Sequence, residues 1–498
     1  MYLTAYRKIE ASKSKLNILT PNDLISKASH LLQNEYVAVK VAEKFKYVFI
    51  DEFQDTNLDQ FHLVQQLIQY GVKIFLVGDD KQSIYGFRGA DVENSINMHS
   101  IIQDLQSDNT EEIYLNENFR SDRLLIELIN KIFSQKYLFN GNLVRFPYEP
   151  LVVPENVQYT DDEHCLEVRL DEEVEMAIKD LSENQGISYG NIAILCRRNY
   201  DLDKIAARLK ELGYPVEVVG GKGFYRAKET IDTYKLLNAL INCNEEYQRE
   251  LIFTDYYKSV MCSKAITNSF DALINEFRTM LRRETVEEAL AYIYDKTMVL
   301  DYYRANNQYQ AVANLNKLKD IARELINKDS MQPIQFLEYL NIMITSGQDE
   351  DEADISESER QKGVIRVYSI HKSKGLSFPV VIIPCIETNL NRPITKPKII
   401  FSTKDGISAI AFNSKELSDK IQSDPEYLKL LEIKTLEQLE EELRIFYVAC
   451  TRAKHKLVLI SNKSKDEILS TKTWKDNISI AKWLMQIDNG EFIESYSK

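Results

Sequence analysis

The sequence predicts an α/β protein whose parallel sheets are interrupted by a helical segment. Short runs rich in β-branched residues end at polar or turn residues and alternate with helical stretches, as in proteins built on parallel sheets. From about residue 226 to 345 such runs are few, and apolar residues recur with the 3.6-residue period of an α-helix. These two patterns predict an α/β chain that contains one helical insert.

The predicted elements follow one another in chain order. Strands are expected at residues 47–50, 73–77, 113–115, 191–195, 216–219, 364–370, 380–383 and 457–460. Helices are expected between and after them, among others at 58–69, 202–212, 269–282 and 309–325. The helical segment ends in an acidic run, DEDEAD at 349–354, which is expected to be a solvated and mobile linker.

Composition predicts a cytoplasmic globular protein without a membrane span. The 498 residues are 44% hydrophobic and 28% charged, as in ordinary globular proteins, and the longest apolar run is far shorter than the roughly 18 residues of a membrane helix. The six cysteines are scattered without a C-x-x-C pair, which argues against a disulfide framework and a zinc site. A net charge of −14 argues against broad coating of DNA, although a groove can still be locally basic.

Two adjacent acids, Asp51 and Glu52, follow the apolar run at 47–50 and open the sequence DEFQDT. Ligands of open α/β sheets bind at the carboxyl ends of the strands. In phosphoryl chemistry the two acids have separable tasks: Asp51 is expected to hold Mg²⁺ through water, and Glu52 to orient and deprotonate an attacking water. The alternative is a strand end with two solvated acids.

Several motifs, in matching order, resemble those of UvrD/Rep-type superfamily 1 DNA helicases. DEFQDT at 51–56 resembles motif II, GDDKQSIYGFRGA at 78–90 motif III, LNENFRS at 115–121 motif IV, YSIHKSKGL at 368–376 motif V and ELRIFYVACTRA at 442–453 motif VI. Gly220 and Gly221 with Phe224 resemble a short glycine segment near the start of the family's insert. The resemblance covers roughly residues 15 to 462.

The resemblance implies RecA-like motor domains. Residues 1–115 would form an incomplete first motor domain with motifs II and III. Residues 116–225 and 363–480 would form the second motor domain with motifs IV, V and VI. Residues 226–362 would be the helical insert that ends in the acidic linker.

The resemblance also implies a site for ATP and Mg²⁺. Gln82, Arg120 and Arg452 would contact the γ-phosphate, with both arginines acting as arginine fingers because a planar guanidinium matches phosphate oxygens. Gly375 and Ser377 would lie beside the nucleotide. The family commonly has glutamate at the position of Ser377, and the shorter serine is expected to reach the ribose less well.

A single-stranded DNA, or a duplex with a single-stranded tail, is the implied substrate, with 3′-to-5′ movement. The implied DNA-binding residues are Tyr85, Phe87, Arg88, His371, Lys372 and Lys374. The aromatic rings would stack on bases, and the motif V residues would meet the DNA backbone or couple it to ATP. The alternatives are that both rings belong to the core and that motif V is a solvated basic turn.

The sequence contains no phosphate-binding P-loop of the form G-x-x-x-x-G-K-[ST]. In the family this loop lies well ahead of motif II, so the chain is expected to begin inside the motor, with the 73–77 strand at an open sheet edge. Without its hydrogen bonds, ATP binding should weaken at least about 10³-fold. Three explanations stay open: a truncated or split gene, a separate P-loop-bearing partner chain, or a degenerate relative.

Two functions therefore compete. The first is an ATP-driven DNA helicase or translocase in DNA repair or antiviral defence, since the compact size also resembles the UvrD-like subunit of Gabija-type anti-phage systems. The second is a nucleotide-incompetent DNA-binding or scaffold subunit of a helicase–nuclease complex. A nuclease within this chain is not expected, because only about 36 residues follow motif VI.

Overall fold

A computed structural model describes most of the chain. The described residues are 2–16, 19–86, 90, 102, 111–134, 148–154, 164–219, 223–242, 245–263, 269–306, 308–329, 332–346, 350, 352–353, 363–390, 399–402, 406–410, 425–470, 478–487 and 491–496.

The described residues alternate helices with strands over much of the chain. The strands are β1 (Tyr47–Ile50), β2 (Lys73–Leu76), β3 (Leu166–Leu170), β4 (Ile192–Cys196), β5 (Val216–Val219), β6 (Ile365–Ser369), β7 (Phe378–Ile383), β8 (Ile399–Ser402), β9 (Gly406–Ile410) and β10 (Ala453–Ser461). The helices are α1 (Tyr2–Leu16), α2 (Pro21–Leu32), α3 (Glu35–Lys44), α4 (Leu58–Gln69), α5 (Arg123–Phe133), α6 (Val174–Glu183), α7 (Asn199–Glu211), α8 (Lys228–Ile241), α9 (Glu245–Glu250), α10 (Asp255–Cys262), α11 (Phe270–Arg283), α12 (Val286–Thr297), α13 (Val299–Ala305), α14 (Tyr309–Asp329), α15 (Pro333–Ser346), α16 (Ile370–Ser373), α17 (Pro425–Cys450), α18 (Lys465–Leu469), α19 (Ile480–Leu484) and α20 (Glu491–Tyr496).

Strands β1 and β2 form a small parallel sheet in register from Tyr47 opposite Lys73 to Ile50 opposite Leu76. Helix α4 begins at a capping box in which the side chain of Asn57 and the side chain of Gln60 each accept a backbone N–H of the other residue. The apolar side of α4 then packs beneath the sheet around buried Phe61. This packing fixes the carboxyl ends of both strands, where motifs II and III begin.

A second sheet has six strands in the order β3-β10-β7-β4-β6-β5. The register pairs β10 in parallel with β3 and β7, and β5 in parallel with β6. Strand β4 is buried throughout, as is usual where a parallel sheet has both faces covered. The α/β class with RecA-like parallel sheets, predicted from the alternating pattern, is confirmed.

The chain divides into two compact units. The first comprises Met1–Leu181, Leu195–Arg197 and Ser373–Lys498, and the second comprises Ser182–Ile194 and Arg198–Lys372. Helices α8 to α15 of the second unit share one apolar core, which includes the buried residues Leu236, Phe277, Leu290, Leu315 and Phe336. The helical insert is therefore present, while the three-part domain division stays a prediction.

Two local expectations are wrong, and one strand was not predicted. Residues 113–115 are not a strand, and Leu115 is 90% exposed. Strand β3 was missed because its charges are buried as ion pairs, with Arg169 between Glu167 and Asp180. The acidic run was expected to be solvated, yet Glu350 and the following described residues pack against the helical core. A sequence pattern treats each charge as solvated, whereas folding supplied partners for these.

Within the described part of the chain, we find no helix that combines the length and the apolar character needed to cross a bilayer.

Candidate nucleotide and DNA site

The motif II acids lie at the end of β1. Glu52 adopts a left-handed backbone conformation, with φ 51° and ψ 41°, and its N–H donates to the carboxylate of Asp51 at 2.8 Å. Left-handed backbone at a residue other than glycine is strained and often occurs at functional sites. Both acids are exposed. The turn is held because the Phe53 N–H donates to the carbonyl of Val77, at the end of β2, at 2.9 Å.

Gln54 joins motif II to motif III and was not singled out from the sequence. Its amide donates to Glu52 at 2.5 Å and accepts the N–H of Asp79 at 3.0 Å. Its backbone carbonyl accepts the hydroxyl of Ser83 at 3.0 Å. The side chain is only 1% exposed. Gln54 therefore fixes the orientation of the Glu52 carboxylate from the buried side.

Lys374 of motif V places its ammonium among the motif II acids. It donates to the carboxylate of Asp55 and, at 2.9 Å, to the carbonyl of Gln82, and it lies 3.2 Å from Glu52. The same ammonium lies 5.2 Å from the ring centre of Tyr85. Burial raises the pKa of Asp55, and Lys374 opposes this shift. With its side chain 7% exposed, Lys374 fits the coupling role better than a contact with the DNA backbone.

Arg452 of motif VI is buried behind the motif III glutamine. Its guanidinium donates to the carbonyls of Val448 at 2.9 Å and Leu376 at 3.2 Å. It also lies 3.5 Å from the side-chain oxygen of Gln82. These bonds fix the orientation of the guanidinium, because a planar group that is held at several nitrogens has little rotational freedom.

Arg120 of motif IV lies beside Arg452. Its guanidinium donates to the carbonyl of Thr451 at 3.2 Å, although the residue as a whole is exposed. Burial and the charge of Arg120 lower the pKa of Arg452 to about 10, while the negative charges of Glu52 and Asp79 oppose the shift. Two neighbouring cations that repel each other form a site that an anion of several charges would stabilise.

The arrangement also suits Mg²⁺ held together with phosphates. Mg²⁺ bound to nucleotides commonly takes one or two carboxylates, with phosphate oxygens and water completing the octahedron. Asp51 offers an exposed carboxylate at the strand end. Among the described residues there is no group of three or more His, Cys, Asp or Glu side chains that could hold a metal without such a ligand.

Helix α17 connects the motif III loop with Arg452. The Gly86 N–H donates to the carboxylate of Glu441 at 3.1 Å, and Arg444 donates to the carbonyl of Ser83 at 2.7 Å. Arg197 holds the same helix through two bonds of 2.7 Å to Glu442. The motif III loop is thus bonded to the helix that directly precedes Arg452.

The remaining predicted site residues can be described by their position and burial. Gly375 has a φ of +82°, a conformation that glycine adopts without strain, and Ser377 is half-buried after it. His371 and Lys372 lie on α16 and are half-buried. The predictions for Phe87, Arg88, Gly220 and Gly221 fall outside the described residues. Phe224 is buried in the helical core.

Comparison with known proteins identifies the family. A family described as the UvrD/REP helicase N-terminal domain matches residues 1–103, and one described as the UvrD-like helicase C-terminal domain matches residues 113–266 and 258–464. Among similar proteins, an ATP-dependent helicase/nuclease subunit of Bacillus pumilus is 28% identical over 94% of this chain and 43% of its own length. The protein of the same name from Alkaliphilus metalliredigens is 27% identical, with 94% and 44% covered.

The ATP-dependent DNA helicase PcrA of Staphylococcus epidermidis is 25% identical over 93% of this chain and 61% of its own length. The chain thus spans about half the length of the curated relatives it matches.

Proposed function

Because the chain belongs to the UvrD-like helicase family, we propose that it works in an ATP-dependent DNA helicase or translocase that moves 3′-to-5′ on single-stranded DNA. The observation that carries this proposal is the pair of guanidinium groups, Arg120 and Arg452, beside Gln82 and near Glu52. Hydrolysis of a terminal phosphate requires cations close to the phosphoryl oxygens and a carboxylate close to the attacking water.

In the proposed reaction, water attacks the γ-phosphorus and the bond to the β-phosphate oxygen breaks. Glu52 orients the water and accepts its proton, held in place by the amide of Gln54. Asp51 would hold Mg²⁺, which would supply positive charge to the phosphates. Arg120 and Arg452 stabilise the charge that builds on the γ-phosphoryl oxygens, and Gln82 detects the γ-phosphate.

DNA would bind through the motif III loop and motif V. Tyr85, Phe87 and Arg88 would stack on bases and hold the strand, and His371 and Lys372 would meet its phosphates. Lys374 would couple DNA binding to the motif II acids, which its ammonium contacts in this structure. A duplex with a single-stranded tail would serve as the loading substrate.

ATP binding also needs backbone donors and a lysine of the P-loop type, and the printed sequence contains no such motif. We therefore propose that this element comes from polypeptide outside these 498 residues, either in the same protein or in a partner. A nuclease partner, a place in DNA repair or phage defence, and a cytoplasmic location belong to the same proposal. The names of the helicase/nuclease relatives support the nuclease partner.

The second candidate is a nucleotide-incompetent subunit that binds DNA or scaffolds a nuclease. The lack of a P-loop motif within the printed sequence favours it. The two candidates share the DNA contacts and differ in whether the motif II acids act on ATP.

The test uses the protein purified from its own cells with any polypeptide that accompanies it. ATP hydrolysis is measured with and without a single-stranded oligonucleotide, for the wild type, Glu52→Gln and the matched control Asp59→Asn, an exposed acid on α4. We expect DNA-stimulated turnover that falls about 10²–10⁴-fold in Glu52→Gln and is unchanged in Asp59→Asn. DNA binding without turnover would establish the second candidate, and equal turnover in Glu52→Gln would refute the site.

A further inference from the structure

The segment that carries Arg120 runs beside the segment that carries Arg452. The guanidinium of Arg120 donates to the carbonyl of Thr451 at 3.2 Å. The hydroxyl of Ser121 donates to the carbonyl of Ala453 at 2.6 Å. Two successive residues of motif IV are thus bonded to the two residues that flank Arg452 in the chain.

The same contact continues to the start of α5. The N–H of Asp122 donates to the carbonyl of Lys454 at 2.8 Å, and its carboxylate lies 2.9 Å from Nδ1 of His455. We name residues 120–122 and 451–455 together the arginine clamp. The clamp joins motif IV to the end of motif VI by bonds from three consecutive residues.

Ser121 lies at the centre of the clamp. The residue is only 2% exposed, so its hydroxyl forms its bond to Ala453 away from solvent. The side-chain oxygen of Asn118 accepts the N–H of Arg120 at 2.8 Å and that of Ser121 at 3.1 Å. Asn118 therefore shapes the backbone turn that presents Arg120, and Ser121 ties this turn to the first residue of β10.

The two arginines are held in different ways. Arg452 is 1% exposed and is bonded to Val448 of its own helix and to Leu376. Arg120 is exposed and follows the backbone of the clamp. The positive charge of Arg120 acts on Arg452, so the two groups repel each other when no anion lies between them. Bonds elsewhere must therefore keep Arg120 close to Arg452.

We propose that Ser121 is a positioning residue, which holds the guanidinium of Arg120 at a fixed place beside Arg452 through its bond to the carbonyl of Ala453. This inference rests on the proposed function, since the spacing of the two cations matters if both stabilise one phosphoryl group. Donors that are fixed before the reaction stabilise the charge that builds in the transition state. Loss of the hydroxyl should therefore lower kcat and leave KM for ATP nearly unchanged.

Steady-state ATP hydrolysis tests the proposal with the protein purified together with any polypeptide that accompanies it, in the presence of a single-stranded oligonucleotide. A misplacement of about 1 Å at a reacting group costs about 10²-fold in rate. We expect kcat to fall about 10- to 100-fold in Ser121→Ala, while KM changes by less than about threefold.

The matched control is Ser259→Ala in α10. Ser259 is also 2% exposed and its hydroxyl also donates to a backbone carbonyl, that of Tyr256 at 2.9 Å. The control variant loses a comparable bond within the helical insert, so its kcat should equal that of the wild type. This comparison separates a positioning role from a general loss of stability.

A double variant shows whether Ser121 acts through Arg120. If it does, the variant that combines Arg120→Ala with Ser121→Ala should have the kcat of Arg120→Ala alone, because the positioned group is already absent. A residue with a merely structural role would lower kcat by the same factor in both backgrounds.

Hydrogen exchange gives a readout that does not depend on turnover. The amide of Asp122 reports on the clamp, and the amide of Leu457, which donates to the carbonyl of Cys165 at 2.8 Å, serves as a reference in β10. A hydrogen bond between neutral groups contributes about tenfold to an equilibrium. Protection of the Asp122 amide should therefore fall about tenfold in Ser121→Ala, while protection of the Leu457 amide stays the same.

The outcomes distinguish this inference from the proposed function. If Arg120→Ala lowers turnover and Ser121→Ala does not, or if the Asp122 amide exchanges equally in Ser121→Ala and the wild type, Ser121 does not position Arg120. Wild-type turnover in Arg120→Ala, or no turnover in the wild type, would refute the proposed function and the role of Ser121 with it.

If Ser121→Ala does not fold, Asn118→Ala serves instead. It removes the acceptor of the Arg120 and Ser121 N–H groups, so kcat should fall in the same way. Asn118→Asp keeps an acceptor oxygen and should restore kcat to within about threefold of the wild type. Equal kcat in Asn118→Ala and the wild type, or no recovery in Asn118→Asp, would also contradict the proposal.

Discussion

The polar cluster around Arg452 brings two guanidinium groups together, whereas the cluster around Asn314 brings two carboxyl groups together. In the first, burial and then the charge of Arg120 lower the pKa of Arg452. In the second, burial and then the charge of Glu229 raise the pKa of Glu352. Each cluster thus brings two groups of like charge together.

The difference indicates what each cluster binds. Neighbouring cations are relieved by a polyanion, and neighbouring carboxyl groups are relieved by a proton. Four substitutions test this contrast, ordered from the largest expected effect to the smallest.

Arg452→Lys tests the cationic cluster most directly. Lysine cannot reproduce the planar fork that bonds Val448 and Leu376 while facing Gln82. If Arg452 acts as an arginine finger, ATP turnover should fall about 10³–10⁵-fold, measured under steady-state conditions with single-stranded DNA. The control is Arg123→Lys on the exposed side of α5. Equal turnover in both variants would remove Arg452 from the site.

Lys374→Met should leave Asp55 buried without its cation. Breaking a buried ion pair on one side costs about 3–5 kcal/mol, and the urea midpoint of the variant should fall accordingly at pH 7. Because the pKa of Asp55 is raised even with Lys374 present, protonation at lower pH should relieve the unpaired charge. The loss should therefore be smaller at pH 5 than at pH 7.

The matched control for Lys374→Met is Lys40→Met, since Lys40 forms an exposed pair with Glu43 and such pairs contribute little. If the urea midpoint of Lys374→Met falls by the same amount at both pH values, Lys374 does not neutralise the buried charge of Asp55.

Asn314→Ala tests the carboxyl cluster. It removes the donor to Glu229 and the acceptor of the Ala353 N–H, so the free energy of unfolding should fall by about 2–3 kcal/mol. The loss of helical circular dichroism in urea measures it. Asn341→Ala on α15 is the control, because that side chain is exposed. Similar midpoints for both variants would show that the bonds of Asn314 to Glu229 and Ala353 contribute little to stability.

Gly86→Ala should have the smallest effect. A Cβ at this position would lie 2.9 Å from a carboxylate oxygen of Glu441, but that oxygen ends a flexible side chain that can turn away. We expect stability to change by less than about 1 kcal/mol, and DNA stimulation of ATP turnover to fall several-fold as the loop loses its bond to α17. Glu441→Gln, which keeps an acceptor oxygen, should retain stimulation. Full DNA stimulation in Gly86→Ala would exclude coupling of DNA binding to ATP turnover through the bond between Gly86 and Glu441.

Much of the local structure could be predicted because neighbours along the chain determine it. The bounds of β1 and α4 agree with the periodicity, and Asp51 and Glu52 lie at the strand end, as expected. Strand β3 could not be predicted in this way, since buried Glu167 pairs not only with Arg169 but also with Lys456, 289 positions further on. Gln54 and Asp55 escaped notice for the same reason, although both lie within DEFQDT.

The sequence by itself determined the α/β class, the helical insert and the family, because short motifs and hydrophobic periods depend on residues close together in the chain. Tertiary structure decided which charges meet: Lys374 with Asp55, Arg452 with Gln82, and Glu352 with Glu229. The physical reason is that the energy of a charge depends on its burial and on its nearest partners. Those partners lie more than a hundred positions away along the chain in each of these pairs, so only the folded protein reveals them.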